Sequence, residues 1–337
     1  MKNFETWYNL NYKKILIIPA IVLTLSILYL AFFYAQTGDI INKDVTLTGG
    51  TAITIQTQIP VQELEAHLAK TILDFETKTI SDNTGAQLQL IIIVKEEDRA
   101  ALTSSLEELL GYELTSENSS SETTSASLSQ DFYKQLIIAV IIAFFWMSAV
   151  VFLIFSKGKK EKFQVVLVNL LFGFFLGKFF LTINPIISGV IFLVFLAFLI
   201  KTYIKKSVPA FAVILSAFAS IIMTLALIDF LGIKLSTAGI VAFLMLIGYS
   251  VDTDILLTTR LLKRKESINK ALFGAFKTGT TMTVTSIIAI TTALIAIYSF
   301  ESVLNQIFTI LLIGLGFDLF NTWITNASII KWYVQNK

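Results

Sequence analysis

The sequence predicts a mainly α-helical transmembrane bundle of about eight helices carrying one α+β domain outside the membrane. Three observations point there. Of 337 residues, 55% are hydrophobic and only 15% charged, and the mean hydropathy of +0.75 is too high for a water-soluble domain. Apolar runs able to cross a hydrocarbon core of about 30 Å, which takes about 20 helical residues, occur once near the N-terminus and then repeatedly after residue 130. Between them, residues 36–130 hold most of the acidic residues and no long apolar run.

Taken in order, residues 1–35 comprise a short N-terminus and a first anchor, Ile15–Tyr34, preceded by Lys13 and Lys14. The run is longer than the about 7–15 residues of a signal-peptide core, so a retained anchor is expected. Residues 36–114 read as the extracytoplasmic domain. Val45, Leu47, Ile53 and Ile55 keep one parity, as do Leu88, Leu90, Ile92 and Val94, the period of half-buried strands. Pro60 opens a helix with Val61, Leu64, Leu68 and Ile72 on one side, and Leu102, Leu106 and Leu109 mark a second. With a middle strand near Phe75–Ile80 and a last one at Tyr112–Thr115, the order is βαββαβ, that of a ferredoxin-like sandwich.

Residues 115–130 form a linker. Thr115–Ser129 holds ten Ser or Thr among fifteen residues, which predicts a flexible tether without fixed structure. Asn118-Ser119-Ser120 is a formal glycosylation sequon, balanced by the plainer reading of an unmodified asparagine. Residues 131–337 form the transmembrane bundle, with spans at 134–156, 163–182, 185–204, 208–228, 235–259, 278–298 and 303–330. The basic segments Lys157–Lys162, Lys201–Lys206 and Arg260–Lys277 alternate with outer turns at 183–184, 229–234 and 299–302 whose only basic residue is Lys234. By the positive-inside rule both termini are cytoplasmic and residues 36–130 lie outside.

The chain has no cysteine, which excludes disulfides, thiolate metal sites and cysteine nucleophiles. The single histidine, His67, lies in a charged helical stretch and reads as a solvated surface residue. No phosphate loop, nucleophile constellation or metal-ligand set occurs, so no enzyme, metal or cofactor is predicted, and no nucleic-acid partner.

Ionisable residues within spans are expensive and usually functional. Lys178 lies near a span end, where its side chain can reach the interface. Asp252 and Asp254 are about 200° apart on one helix and cannot face one partner. They lie deep in the bilayer, Asp252 about 12 Å before Arg260. The next span is rich in hydroxyls, including Thr281 and Thr285, which can bond across helices or relay protons. In the last, Asp318, Asn321, Thr322, Thr325 and Asn326 make one polar stripe. A static hydrogen-bond network and a proton-responsive site are the two readings of these groups.

Three blocks resemble the SecF family of protein-export membrane proteins, and more closely its archaeal branch. They are Leu47-Thr48-Gly49-Gly50-Thr51, the segment Leu246–Arg260 around Gly248-Tyr249-Ser250-Val251-Asp252-Thr253-Asp254, and Lys277–Thr283 with the later Asp318, Asn321, Thr322 and Trp323. The resemblance implies a half-transporter of the resistance-nodulation-division type that pairs with SecD and assists the SecYEG channel as it passes polypeptide, driven by the proton-motive force. Asp252 matches the aspartate of the related SecD helix and is expected to be the most function-sensitive carboxylate. Asp254, Asp318, Thr281, Thr285, Asn321 and Arg260 are the other polar candidates, and Gly49 and Gly50 the domain motif. Two departures stand out: no arginine occupies the place near Thr280 and Thr281 where bacterial members carry one, and residues 157–206 form an insertion of two helices. A small-molecule or lipid exporter of the same superfamily would carry two outer domains and about twelve spans; a passive assembly factor of the channel would lack energy coupling.

Overall fold

The computed structural model describes residues 2–73, 75–81, 87–297 and 303–336. The N-terminal arm is α1 (Lys2–Ile15) followed by α2 (Ile17–Thr37). α2 ends because Gly38 turns left-handed, at φ +76°, and returns its N–H to the Tyr34 carbonyl. A helical turn, α3 (Val45–Thr48), then leads into β1 (Gly50–Ile55), α4 (Val61–Leu68), β2 (Phe75–Ser81), β3 (Gln87–Val94), α5 (Arg99–Leu110) and β4 (Ser119–Thr124). The strands lie in the order β2-β3-β1-β4, and every neighbouring pair is antiparallel. Ile53, Ile55, Leu90, Ile92 and Val94 from the sheet meet Leu64, Leu68, Ile72, Leu102 and Leu106 in one buried core. This is the one-sided burial that the alternation predicts.

Three expectations for this domain need correction. Val45 and Leu47 are not in a strand: Leu47 is fully buried, but in the membrane cluster with Leu225, Leu246 and Ile310, so the bundle claims it. The strand begins only after Gly49, whose φ of +83° a side chain would strain. Leu88 shares the parity of its strand yet is 53% exposed, beside the register shift at Ile80/Ser81. Finally, the Ser/Thr tract is not a tether. Ser119–Thr124 pairs along the whole of β1, with the Thr51 and Thr123 hydroxyls 3.0 Å apart, while Tyr112–Thr115 forms no strand. β1 has a second edge whose N–H and C=O groups need partners, and a polar edge strand satisfies them while discouraging further pairing. Asn118 serves the turn before β4, accepting from the Thr115 N–H at 2.7 Å and donating to the Glu113 carbonyl at 2.9 Å.

The bundle comprises α6 (Ala126–Phe155), α7 (Lys159–Lys178), α8 (Pro185–Lys206), α9 (Val208–Phe230), α10 (Thr237–Leu262), α11 (Ile268–Ile297), α12 (Val303–Asn321), a π-helical turn (Thr322–Asn326) and α13 (Ala327–Gln335). Side chains of Ser125, Asn184, Ser207 and Ser236 accept backbone N–H groups at the starts of α6, α8, α9 and α10. α10 is central, packing on α6, α9, α11 and α12.

Seven helices among the described residues are long and apolar enough to cross a membrane, rather than eight. The exception is α7. Lys159, Lys160, Glu161 and Lys162 occupy its first turn and the helix stops at Lys178, so the apolar stretch 163–177 covers about 22 Å, short of the hydrocarbon thickness. It packs through aromatic contacts, with Phe172 at 4.6 Å from Phe145 of α6 and 4.9 Å from Phe195 of α8. The expected outer turn 299–302 lies outside the described residues.

Candidate functional site

Every member of the predicted stripe on the last helix is buried: Asp318, Asn321, Thr322, Thr325 and Asn326 range from 0% to 7% exposed. Facing them from α10 are Ser250, Asp254 and Thr258, each fully buried. Asn326 Nδ2 donates to Asp254 Oδ1 at 2.8 Å and also reaches Thr258 Oγ1 at 3.3 Å, while the Ser250 hydroxyl donates to Asp318 Oδ1. A third side comes from α9, where Ser220 Oγ accepts from Asn321 Nδ2 at 3.2 Å. Thr325 Oγ1 in turn donates to Asn321 Oδ1 at 3.1 Å.

This network is incomplete. Asp254 Oδ2, Asp318 Oδ2, Thr322 Oγ1 and Ser216 Oγ are buried without a hydrogen-bond partner, and among the described residues no lysine or arginine pairs with either carboxylate. Polar groups left so in a low-dielectric interior are costly and are found where function requires them. The π-helical turn Thr322–Asn326 lies beside both carboxylates, and such turns concentrate at functional sites.

The predicted polar residues therefore divide. Asp254, Asp318 and Asn321 come together. Asp252 does not join them: it is exposed on the opposite face of α10, in a row with Val241, Met245, Gly248 and Tyr249, so the expected burial is not provided by this chain. Thr281 and Thr285 are exposed on α11 and bond only to backbone carbonyls of their own helix, at 2.7 and 2.9 Å. Arg260 reaches the Gly274 carbonyl at 2.8 Å, which ties α10 to α11 away from the carboxylates. Sequence reasoning missed α9. Ser216, Ser220 and Thr224 recur every fourth residue in an otherwise apolar helix and are fully buried, a spacing that could have revealed them.

The helices of this site also hold the root of the sheet domain. The Asn42 N–H bonds Asp229 Oδ1 at the end of α9, at 3.1 Å. Leu235, just before α10, exchanges backbone bonds with Asn42 and Asp44 at 2.6 and 2.8 Å. Gln306 of α12 accepts from Ser236 and donates to the Lys234 carbonyl, while Lys234 lies 3.8 Å from Glu76 of β2. At Gly49-Gly50 the chain turns from this root into β1.

Comparison with known proteins places this chain among relatives. The family model described as protein export membrane protein SecD/SecF, C-terminal, matches residues 176–336, the stretch that contains the whole carboxylate cluster. The protein-export membrane protein SecF of Methanolacinia petrolearia is 31% identical over 96% of this chain and 94% of its own length. That of Pyrococcus furiosus is 29% identical over 96% and 92%, and that of Methanocaldococcus jannaschii is 47% identical over 42% and 51%. In fold, the chain is similar over 99% of its length to the crystal structure of SecDF, a translocon-associated membrane protein from Thermus thermophilus, with TM-score 0.57 and 16% identity, and it covers 39% of that longer chain. Near-full-length identity to the archaeal proteins decides the matter: the chain belongs to the SecF family of protein-export membrane proteins.

Proposed function

We propose that this chain is the SecF-type partner of a SecD subunit in the cell membrane, and that together they assist polypeptides emerging through SecYEG, using the proton-motive force. The observation that carries this reading is the pair Asp254 and Asp318, buried without a cation on the helices that also root the outer domain. A carboxylate pair that gains and loses a proton changes what Asn326, Ser250 and Thr322 must satisfy, and rigid α9, α10 and α12 carry that change to residues 42–49. Asp252 supports the pairing. A carboxylate on the outer face of a central membrane helix is costly against lipid, so that face suits a partner helix, and the SecD subunit supplies one.

The domain's element order and its β2-β3-β1-β4 sheet fit a ferredoxin-like unit on the outer side, where it would grip emerging chain. α7 is taken to cross despite its short apolar stretch, which local bilayer thinning and its flanking lysines accommodate, so with α8 it forms the two-helix insertion in 157–206, and the basic segments fall on the cytoplasmic side together with both termini. A passive assembly factor is the competing reading, because Asn326 and Ser250 already satisfy one oxygen of each carboxylate statically.

The two separate in membrane vesicles that carry the SecD partner and the channel. Asp254→Asn, Asp318→Asn and Asp252→Asn are close in shape to the native residue. Under the coupling reading each variant assembles with SecD, while export loses its dependence on the proton gradient. Gradient-dependent export that survives in all three would leave only the assembly role.

A further inference from the structure

At the end of the bundle away from the sheet domain, α1, the start of α2, α11 and the π-helical turn enclose an apolar cleft of about 300 Å³. Tyr8, Ile15, Ile18, Leu272, Phe276 and Trp323 line it. Its walls are built rather than incidental. Trp323 stands edge-on to Phe276 with ring centres 4.9 Å apart, and packs so close to Gly279 that a Cβ there would come within 2.7 Å of the indole. α1 is held against α13 by Tyr12, whose hydroxyl donates to Gln335 Oε1 at 2.6 Å. The rings of Tyr8 and Tyr12 also lie 4.7 and 4.9 Å from the buried Lys331 ammonium.

Basic residues neighbour this lining along the chain. Lys13 and Lys14 immediately precede Ile15, Lys277 immediately follows Phe276, and all three are exposed. None takes part in the ion pairs found among the described residues.

We propose that this cleft is a lipid site that takes one acyl chain of an anionic membrane lipid, with the headgroup phosphate at Lys13, Lys14 and Lys277. Four features select that occupant. The cleft lies beside the first and sixth of the seven candidate spans, so hydrocarbon is the solvent at its mouth. Its lining offers almost no hydrogen-bonding groups, whereas sites for polar small molecules place several. A transmembrane helix about 10 Å across does not enter a volume of this size, but a single chain does. Basic residues at the membrane surface attract anionic headgroups. The site also has a consequence within the chain, because the π-helical turn that sends Trp323 to the cleft sends Asn326 to Asp254.

The test uses Trp323 as its own reporter. The full chain with Trp7→Phe, Trp146→Phe and Trp332→Phe is placed in phosphatidylcholine nanodiscs containing a rising fraction of brominated phosphatidylglycerol. Quenching of Trp323 is compared with that from brominated phosphatidylcholine. The expected result is quenching that saturates at a low fraction of the anionic lipid, with a preference of about fivefold for each lysine engaged. Lys13→Gln, Lys14→Gln and Lys277→Gln together, all at exposed positions, should abolish the preference. Ile18→Phe, which narrows the mouth, should weaken quenching by both lipids. Quenching that grows in proportion to lipid fraction, equally for both headgroups, is bulk contact and overturns the site. Saturating quenching without headgroup preference overturns the anionic assignment.

Discussion

The hydrogen bond from Asn326 to Asp254 permits a measurement that reads the state of the carboxylate directly. Both residues are fully buried, 2.8 Å apart, and the other carboxylate oxygen has no partner. Hydrogen bonds to charged groups contribute about 1.5–3 kcal/mol, while interhelical bonds between side chains in membrane proteins average about 0.6 kcal/mol and reach about 1.7. The two ranges barely overlap, so the coupling energy reports which species is present. In a double-mutant cycle of Asn326→Ala, Asp254→Ala and the double variant, the cavities left by each truncation largely cancel. Unfolding free energies come from denaturant titration of the purified chain in micelles. A coupling of about 2 kcal/mol is expected for an ionised carboxylate, and one near about 0.6 kcal/mol identifies the acid form. A coupling near zero would refute the reasoning, since the bond would then not hold α10 to the π-helical turn.

Other expectations follow from packing and topology. A Cβ at Gly314 would lie 2.5 Å from Leu246 Cδ2 and 2.6 Å from Cδ1, so Gly314→Ala should destabilise by about 1–3 kcal/mol despite a helix-propensity gain of about 1. A raised thermal midpoint would show that α10 and α12 are less closely packed. Because β4 lies in the Ser/Thr tract, a soluble fragment of residues 38–124 should unfold cooperatively, whereas one ending at 113 should lose protection from hydrogen exchange along β1. Equal protection in both would remove β4 from the fold. With α7 and α8 both crossing, a cysteine at Lys205 in this cysteine-free chain should be labelled only from the cytoplasmic side; labelling from outside would show that α7 does not cross and would reject the two-helix insertion.

How far the molecule was legible from its residues depends on how local each cause is. Membrane residence, the first anchor and the strands around Ile53 and Ile92 follow from hydropathy and period, which act within a few residues. The burial of the stripe from Asp318 to Asn326 was equally legible, because polar groups four residues apart on an apolar helix must face something polar. Local pattern could not say that Leu47 belongs to the bundle core, or that Ser119–Thr124 would close β1, since both depend on partners more than sixty residues away in the chain. The same holds for the two aspartates of α10. Their separation of about 200° was clear from spacing, but which side would turn inward was decided by Asn326 of the last helix. It met Asp254 and left Asp252 on the outer face, because a helix can bury only the side its neighbours cover.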